Sequence, residues 1–463
     1  MPIGVDELLK AYGAAVEARN ASLFVGAGLS RASGYPNWSE LLGFARVEAH
    51  IPDSLSDFPL VAEYYIQQSG GRDRLERWIA TALRDASGGP NEGHQFMAKL
   101  PISEIWTTNY DNLIEASDPT ASVIASDEAI ANRSSPWGRR IIKMHGSLSP
   151  DGHSWITPPV ISRTDFERYE FRFPRIWSLL RATFLTKSFL FLGFSFSDPN
   201  IELLLRLARS QDRSSITPEH FTVLTKPSDP DDRILHDLRV RDLESTGIAV
   251  VEVDHFDDIA PVIQRLVRRT CEPRLFVSGS DQGSDIFAEC CSAIGSRFAE
   301  SSIDVASLGG PAGMGVSNAL GLALSGLGTY RPERIQLFFR KKNEPPAALP
   351  ERLGTAIYSG LDKDPLRRSV IDQCRALLVL GGSSTTREEV EIARSLGIPV
   401  IPVGATGGVA RAVWEEQAGH LASVDFGGKA ADESQHKRLV STDPNMVAMG
   451  AYRLVSQAMY LGQ

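Results

Sequence analysis

The stretch Leu23–Ser30, LFVGAGLS, decides the fold of the first half of the chain. Its apolar beginning predicts a buried strand that ends in a glycine loop, and the helical segment Ser39–Ala45 follows soon after. Gly26 and Gly28 let the backbone approach a phosphate group, whose charge backbone N–H groups can then bind. A Gly-x-Gly turn is as often a tight bend as a nucleotide site, so this stretch alone predicts no ligand.

Further short apolar or β-branched runs alternate with amphipathic stretches along the chain. Pro174–Leu185 and Asn200–Ser210, for example, carry apolar residues at helical spacing. This alternation predicts an α/β fold with two Rossmann-like parallel sheets that helices cover on both faces. The predicted strands of the first sheet are Ala21–Val25, Glu104–Thr107, Arg140–Met144, Phe189–Gly193, His220–Leu224 and Ile248–Val253. Those of the second sheet are Arg274–Ser278, Val305–Leu308, Arg334–Phe339, Ala376–Leu380 and Pro399–Val403.

The two series of strands meet at Arg268–Pro273, where a basic helix end runs into a proline. We therefore expect two domains, residues 1–270 and residues 274–463. Each of them is long enough to bury a core of its own. Ligands of such sheets bind at the carboxyl ends of the strands, so candidate site residues are expected there.

The composition disfavours several classes of protein. The 48 Lys and Arg against 57 Asp and Glu give a net charge of -9, which repels nucleic acid. The amino terminus lacks a secretory signal, and the longest apolar run, Ser188–Phe196, is too short to cross a membrane. We expect a soluble, cytoplasmic protein. The four cysteines all follow residue 270 and form no CxxC pair, so neither a disulfide framework nor a zinc site is expected.

Polar clusters follow three more predicted strands of the first domain. Thr107–Asp111, His145–Gly146 and Gly193–Asp198 each come directly after a strand. Together with Gly26–Ser30, they can converge on one crevice at the edge of the sheet. Structural alternatives remain open for each cluster. The carboxylate and amide of the first can cap a helix, the histidine can be a core residue, and residues 197–199 form a good helix start.

The order of these motifs resembles the NAD-binding core of the sirtuins. Gly-Ala-Gly-x-Ser stands at 26–30, Thr-x-Asn-x-Asp at 107–111, His-Gly at 145–146 and Gly-x-Ser at 193–195. The resemblance implies that NAD is the substrate and that Asn109 and His145 are catalytic. By the same resemblance, the residues expected to bind NAD are Gly26, Ala27, Gly28, Ser30, Trp38, Thr108, Asp111, Gly193, Ser195 and Asp198.

Two features separate the first domain from sirtuin deacylases. Those enzymes carry a zinc module held by two cysteine pairs after the His-Gly, whereas this chain has no cysteine before Cys271. Their Asp-Phe-Arg motif is replaced here by Asn37–Ser39, Asn-Trp-Ser. The domain is therefore more similar to the bacterial sirtuin-like NAD hydrolases of phage-defence systems.

The residue types suit cleavage of the bond between nicotinamide and ribose. Positive charge develops on the ribose while neutral nicotinamide leaves, so the enzyme must mainly position the ribose and deliver a nucleophile. His145 can act as a general base on water or on a ribose hydroxyl, and Asn109 can hold either without adding charge. Asp111 can accept a hydrogen bond from a ribose hydroxyl or the carboxamide, and Trp38 offers an apolar wall. A metal site at His145 and His153 would lack a third ligand.

Three small-residue loops follow predicted strands of the second domain: Leu275–Ser280, Leu308–Gly315 and Val379–Glu389. Such loops can present backbone amides and hydroxyls to a phosphate, so they predict a nucleotide or phosphosugar ligand, with plain turns as the alternative. Arg367 and Arg368 precede one of these strands. A guanidinium can bind a pyrophosphate through two hydrogen bonds, although an ordinary solvated charge pair is the alternative.

These loops resemble the SLOG family, Rossmann-like nucleotide-binding domains related to phosphoribohydrolases. The family signature Pro-Gly-Gly-x-Gly-Thr-x-x-Glu corresponds to Leu380–Glu388, with Leu380 in place of Pro and Ser384 in place of the third Gly. These departures favour sensing over hydrolysis, and Glu389 fits the last position as well as Glu388. The candidate effector-binding residues are Ser278, Gly279, Ser280, Gly309, Gly310, Arg367, Arg368, Gly381, Gly382, Glu388 and Glu389.

The combination of the two domains resembles the NAD-consuming effectors of the Thoeris anti-phage systems. The resemblance implies a homo-oligomer, expected to be a tetramer, that hydrolyses NAD without a metal. Its activator would be a cyclic ADP-ribose isomer made by a TIR-domain protein and bound by the SLOG domain. The alternatives are a non-catalytic nucleotide sensor that signals by oligomerisation, and an NAD-dependent protein deacylase or ADP-ribosyltransferase. No nucleic-acid or membrane partner is expected.

Overall fold

A computed structural model describes residues 2–69, 71–86, 88–131, 138–196, 198–210, 220–340, 353–427 and 429–461 of the chain. The chain divides into two compact units, residues 1–270 and residues 271–463. Each unit has its own parallel sheet, so the predicted α/β class with two parallel sheets is confirmed.

Within the described residues, the sheet of the first unit has seven parallel strands in the order β3-β4-β2-β1-β7-β8-β9, and β5 and β6 form a separate antiparallel pair. These strands are β1 (Ala21–Val25), β2 (Glu104–Thr107), β3 (Ser122–Ile124), β4 (Arg140–Lys143), β5 (Ser147–Leu148), β6 (Trp155–Thr157), β7 (Ser188–Leu192), β8 (His220–Thr225) and β9 (Ile248–Val253). Because β1 pairs with β2 on one side and β7 on the other, the crevice expected for a ligand lies at the ends of β1 and β7.

The helices of the first unit are α1 (Val5–Glu17), α2 (Ala27–Arg31), α3 (Trp38–Glu48), α4 (Phe58–Ser69), α5 (Asp73–Asp85), α6 (Glu92–Lys99), α7 (Leu113–Ser117), α8 (Asp127–Ala131), α9 (Arg163–Glu167), α10 (Tyr169–Arg172), α11 (Pro174–Thr186), α12 (Pro199–Ser210), α13 (Pro230–Ser245) and α14 (Ile259–Thr270), with a 3-10 turn at Phe256–Asp258. The Asn37 side chain and Glu40 form a capping box at the start of α3. This box explains why the helix starts directly after the glycine loop and its turn.

The sheet of the second unit has six parallel strands in the order β13-β12-β11-β10-β14-β15, and β16 and β17 form a small hairpin. The strands are β10 (Arg274–Ser280), β11 (Asp304–Ser307), β12 (Ile335–Arg340), β13 (Thr355–Ser359), β14 (Ala376–Gly381), β15 (Val400–Val403), β16 (Asp425–Phe426) and β17 (Lys429–Ala430). The helices are α15 (Phe287–Phe298), α16 (Pro311–Gly326), α17 (Lys363–Asp372), α18 (Ser384–Ser395), α19 (Gly408–Ala418), α20 (Glu433–Arg438) and α21 (Pro444–Ala458), with 3-10 turns at Pro332–Arg334, Gly404–Thr406 and Leu421–Ser423.

Successive residues of the buried strands pack on opposite faces of the sheet. In the second unit, Leu275 and Leu378 belong to the core on one face, and Phe276 and Leu377 belong to the core on the other. Central strands such as β1 and β7 are buried along their whole length, which is why they are continuous apolar runs. No helix in the described part of the chain has the length and apolarity that a membrane span requires.

Candidate functional site

The glycine loops after β1 and β7 contact each other through their backbones. Gly26 N donates to Leu192 O at 2.9 Å, and Gly28 N donates to Gly193 O at 2.8 Å. A Cβ atom at Gly28 would lie 2.7 Å from Gly193 O, and Gly193 itself has a φ of +60°, which favours glycine. The sequence suggested that these glycines serve a phosphate. In the structure they are already required by the contact between the two loops.

A chain of hydrogen bonds joins the ends of β1 and β2. The Thr107 hydroxyl donates to Val25 O at 2.9 Å and accepts from Asn109 N at 3.0 Å. The Asn109 Nδ2 donates to Ser30 Oγ at 3.1 Å, and Ser30 Oγ donates to Asp111 Oδ2 at 2.9 Å. All these side chains are buried. The carboxamide, hydroxyl and carboxylate predicted from separate motifs are therefore held in one fixed arrangement.

Asn109 keeps one polar atom unused in this arrangement. Its Oδ1 is buried and accepts no hydrogen bond from any residue that the structure describes. A buried amide oxygen without a partner is unfavourable, so it is suited to a ligand that donates a hydrogen bond. The other oxygen of Asp111 accepts from Leu113 N at 3.1 Å, at the start of α7. The predicted helix-capping role of Asp111 and a ligand-binding role are thus compatible.

His145 lies two residues after the end of β4, and its side chain is 1% exposed. Its Nε2 is 3.1 Å from Asp198 Oδ2, but the two groups are not aligned for a hydrogen bond, and neither ring nitrogen is hydrogen-bonded within the described residues. The rings of Phe166 and Tyr169 meet the imidazole edge-to-face. The unpartnered nitrogens argue against a core histidine whose hydrogen bonds are already satisfied.

Asp198 has two environments, because its two oxygens face different groups. Oδ1 accepts from Asn200 N at 2.9 Å and from Ile201 N at 3.1 Å, at the start of α12. Oδ2 is the atom near the His145 ring. The helix start expected here is therefore present, although Ser197 of the same predicted cluster lies outside the described residues.

These groups surround a cavity of about 830 Å³ in the first unit. This volume is within the range of roughly 300–1,000 Å³ typical of small-molecule and cofactor sites. The predicted site residues that line it are Ala27, Gly28, Ser30, Trp38, Thr108, Asn109, Asp111, His145, Gly193, Ser195 and Asp198. Gly26 does not line the cavity, because its backbone lies against the β7 loop.

Other lining residues were not identified from the sequence. An aromatic group surrounds Trp38, whose ring is 6.4 Å from that of Phe58 and 6.3 Å from that of Tyr110. Tyr35 also lines the cavity, and burial together with the Asp111 carboxylate raises the pKa of its phenol. The remaining lining residues include Phe166, Glu202, Thr225 and Phe256. They come from helices and strand ends that carry no recognisable motif.

The second unit has a cavity of about 430 Å³ at the carboxyl ends of its strands. Gly310 and Pro311 at the amino terminus of α16 line it, as do Ser383 and Thr385 at the amino terminus of α18. Helix amino termini carry partial positive charge and free N–H groups, so they favour anions. The predicted residues that line this cavity are Ser278, Gly279, Ser280, Gly310, Arg367 and Glu389, and Arg340 and Lys363 add further positive charge.

Arg367 and Glu389 meet at this second cavity. Arg367 is 2% exposed, and its Nε is 3.4 Å from Glu389 Oε1. The Ser278 hydroxyl donates to the other oxygen of the Glu389 carboxylate. Burial raises the pKa of Glu389, and the contacts with Ser278 and Arg367 oppose that rise. The same guanidinium also bonds Glu388 at 2.6 Å and Asp364 at 3.2 Å, so three carboxylates surround it.

Five predicted effector-binding residues do not line the second cavity. Arg368 is exposed and reaches only Ser395 at 3.4 Å, and the Glu388 side chain is 58% exposed. The other three are Gly309, Gly381 and Gly382, all with positive φ. Gly381 N donates to the Thr406 hydroxyl, and a Cβ atom at Gly382 would overlap the Thr386 side chain. These glycines shape the loops instead of contacting the cavity.

Comparison with known proteins matches both units to domain families. Residues 103–243 match the SIR2-like domain, and residues 380–444 match the Sir2- and TIR-associating SLOG family. Three curated bacterial proteins named NAD(+) hydrolase ThsA are also similar. The protein from Acinetobacter baumannii is 28% identical over 450 residues, 89% of each chain. That from Cytobacillus dafuensis is 28% identical over 459 residues, 89% of this chain and 88% of its own. That from Enterococcus faecium is 33% identical over 298 residues, 59% of this chain and 60% of its own.

Proposed function

We propose that this chain, which joins a SIR2-like domain to a SLOG domain, is an NAD hydrolase that releases nicotinamide and ADP-ribose. The observation that carries the proposal is the convergence of Asn109, Asp111 and His145 on one cavity, where Asn109 Oδ1 and the His145 ring nitrogens make no hydrogen bond within the described residues. The similar proteins named NAD(+) hydrolase support the choice of substrate.

The reaction breaks the bond between the nicotinamide nitrogen and C1′ of the ribose. The bonding electron pair goes to the pyridinium nitrogen, which becomes neutral, and a water oxygen forms the new bond to C1′. The water loses one proton, for which a ring nitrogen of His145 is the proposed acceptor, and the proton then passes to solvent. The products are nicotinamide, ADP-ribose and one proton.

The other residues would fix the ribose and restrict water. Asn109 Oδ1 is the available acceptor for a ribose hydroxyl or the attacking water, and Asp111 is held in place by Ser30. Positioning of this kind can lower the barrier substantially because the reacting groups meet already aligned. The Trp38 and Phe58 rings form an apolar wall that limits water near the reacting carbon.

We assign the cavity of the second unit to a regulatory ligand, a cyclic ADP-ribose isomer made by a TIR-domain protein. Two helix amino termini and the cationic Arg367, Lys363 and Arg340 suit its pyrophosphate. The ligand would activate the hydrolase only if it binds the active arrangement more tightly than the resting one. Activation in a homo-oligomer, expected to be a tetramer, would then deplete cytoplasmic NAD during phage infection.

The rival functions lack comparable support. Zinc-dependent deacylases of the sirtuin type hold their metal with cysteines in the NAD-binding domain, and the first cysteine of this chain is Cys271. A purely sensing role would not account for the imidazole and the carboxamide that line the first cavity.

The test is a nicotinamide-release assay on the purified full chain. NAD is supplied alone, with cyclic ADP-ribose, or with the isomers of cyclic ADP-ribose that are linked through the ribose hydroxyls. The products nicotinamide and ADP-ribose are then separated and quantified. We expect equal amounts of both products with at least one isomer. Absence of turnover with every isomer, while NAD still binds, would favour the sensor. Nicotinamide release that depends on an added acyl-lysine peptide would favour the deacylase.

A further inference from the structure

Lys143, the last residue of β4, has a completely buried side chain. Its Nζ donates to Asp111 O at 2.5 Å and to Tyr110 O at 3.3 Å. It also reaches Asn112 Oδ1 at 3.2 Å and Glu115 Oε1 at 2.7 Å. An ammonium has three donors and no acceptor, so its three N–H groups are shared among these four oxygens. Only one of these oxygens belongs to a carboxylate.

The two carbonyls belong to the loop that carries the proposed substrate-binding groups. Asn109 and Asp111 flank Tyr110, so a group that fixes the peptides of residues 110 and 111 also fixes where those side chains point. Lys143 lies opposite Thr107 in the β2–β4 pairing, and Met144 N donates to Thr107 O at 2.9 Å. His145 follows two residues after Lys143 along the same chain segment.

We propose that Lys143 is a positioning residue of the active site, which sets the Asn109–Asp111 loop against His145. The inference rests on the proposed NAD hydrolase function. Lys143 itself does not line the cavity, and it acts through the two carbonyls that it binds. A misplacement of about 1 Å in a reacting group can reduce the rate by roughly 10²-fold, so the loss of this anchor should reduce turnover.

A second connection links the loop to the chain segment that carries the histidine. The Tyr110 hydroxyl donates to Val160 O at 2.7 Å, and Val160 N donates to His145 O at 2.9 Å. This connection binds the side chain of residue 110, whereas Lys143 binds its backbone. The Lys143 contacts therefore act directly on the loop peptides, in addition to the hydrogen bonds that Thr107 and Ser30 make with Asn109.

The test must separate the carbonyl contacts from the ion pair with Glu115. Removing Lys143 alone would break the carbonyl contacts and the ion pair together, so the loss could not be assigned to either. The variant to make is therefore Lys143→Met combined with Glu115→Gln, and the matched reference is Glu115→Gln alone, which keeps the lysine and both carbonyl contacts. Lys187→Met is a second control, because Lys187 pairs with Glu104 at the amino edge of the same sheet, and Glu104 keeps Arg140 as a partner.

We expect the double variant to lose at least about tenfold in kcat for nicotinamide release, with KM and the stoichiometry of NAD binding by calorimetry close to those of Glu115→Gln. Hydrogen exchange in the peptide spanning residues 107–117 should be at least about tenfold faster in the double variant. Both single variants should stay within about threefold of the wild type.

Equal kcat and equal exchange in the double variant and in Glu115→Gln would overturn the proposal. A fall in NAD-binding stoichiometry that matches the fall in kcat would also overturn it, since Lys143 would then serve only folding. A wild type that releases no nicotinamide with any cyclic ADP-ribose isomer would contradict the proposed function instead. The exchange measurement needs no turnover, so it would still decide whether Lys143 holds the loop.

Discussion

The two cavities lie at the same place in their parallel sheets but differ in chemistry. The cavity of the first unit collects an imidazole, a carboxamide, a hydroxyl and a carboxylate, and within the described chain Asn109 Oδ1 and the His145 ring make no hydrogen bond, although His145 contacts Asp198. The cavity of the second unit collects cationic side chains and two helix amino termini, and its buried Arg367 and Glu389 are paired. The sheet topology therefore places a cavity at the carboxyl ends of the strands, and the lining side chains determine which chemistry that cavity can support.

The difference teaches that the chemical character of the lining groups is more informative than the presence of a pocket. A site that breaks a bond needs groups free to act on the substrate, whereas a site that only binds an anion can remain internally neutralised until the anion arrives.

The largest effect is expected for His145→Ala. The variant should bind NAD yet lose about 10²- to 10⁴-fold in nicotinamide release, because the proposed proton acceptor is gone. Release kinetics with the activating isomer and NAD calorimetry measure the two properties separately. His153→Ala, at an exposed position, is the matched control and should keep wild-type turnover. Wild-type turnover by His145→Ala would remove the histidine from the mechanism and weaken the contrast between the cavities.

The second-largest effect concerns the backbone contact between the loops that follow β1 and β7. Gly193→Ala should destabilise the chain by about 3 kcal/mol, because φ is positive and the new Cβ would overlap the Leu29 backbone. Gly247 also has a positive φ, but open space surrounds its Cβ position. Gly247→Ala should therefore cost only about 1 kcal/mol, from the backbone conformation alone. Chemical denaturation gives both values, and equal losses would show that the contact between the loops contributes nothing.

The third effect belongs to the second unit. Arg367→Ala should raise the activator concentration needed for half-maximal NAD hydrolysis by about 30-fold, since a buried guanidinium is lost from the anion cavity. Basal hydrolysis and NAD binding should not change. The neighbouring Arg368 is exposed, so Arg368→Ala is the control and should respond like the wild type. A wild-type dose response of Arg367→Ala would show that the activator binds elsewhere.

The smallest effect concerns His94, a buried histidine of the first unit that can be compared with His145. Burial lowers the pKa of His94 from 6.5 to about 4, and neither ring nitrogen has a partner in the described residues. The unfolded chain then takes up a proton at higher pH than the folded chain, so this contribution to stability is lost as pH falls from 6.5 through 4.

His94→Leu should therefore lose less stability than the wild type between pH 7 and pH 5, by about 2 kcal/mol. Denaturation at the two pH values measures the difference, and nicotinamide release at pH 7 should stay at the wild-type level. An identical pH dependence in the variant would contradict a titrating role for His94. Loss of turnover without loss of stability would show that His145 is not the only histidine on which the chemistry depends.

The sequence was sufficient for the buried strands and for the edge strands β9 and β15, but not for the edge strands β3 and β13. Strands such as β1 and β14 are apolar throughout because both faces are covered, so their pattern is unmistakable. The edge strands β3 and β13 were missed, because each is partly exposed and lacks a continuous apolar run. Val123, for instance, is 43% exposed in β3.

Motif order identified the polar groups of the first cavity, but not what holds them. Lys143 looked like an ordinary polar residue at a strand end, and only the fold brings its Nζ to the carbonyls of residues 110 and 111.

In the second unit, the choice between adjacent residues could have been made from helical spacing. Arg367 lies one turn from the buried Val370 and Ile371, and Glu389 lies one turn from Ala393, which places both on the inner faces of their helices.

The backbone contact between the β1 and β7 loops has a consequence for protein engineering. Gly28 and Gly193 leave no room for any side chain between segments that are far apart in the sequence. Neither segment can therefore be transplanted into another scaffold, lengthened or randomised by itself. A library that varies one loop must carry the complementary shape of the other, and a chimera that divides the chain between them inherits a mismatch at the floor of its pocket.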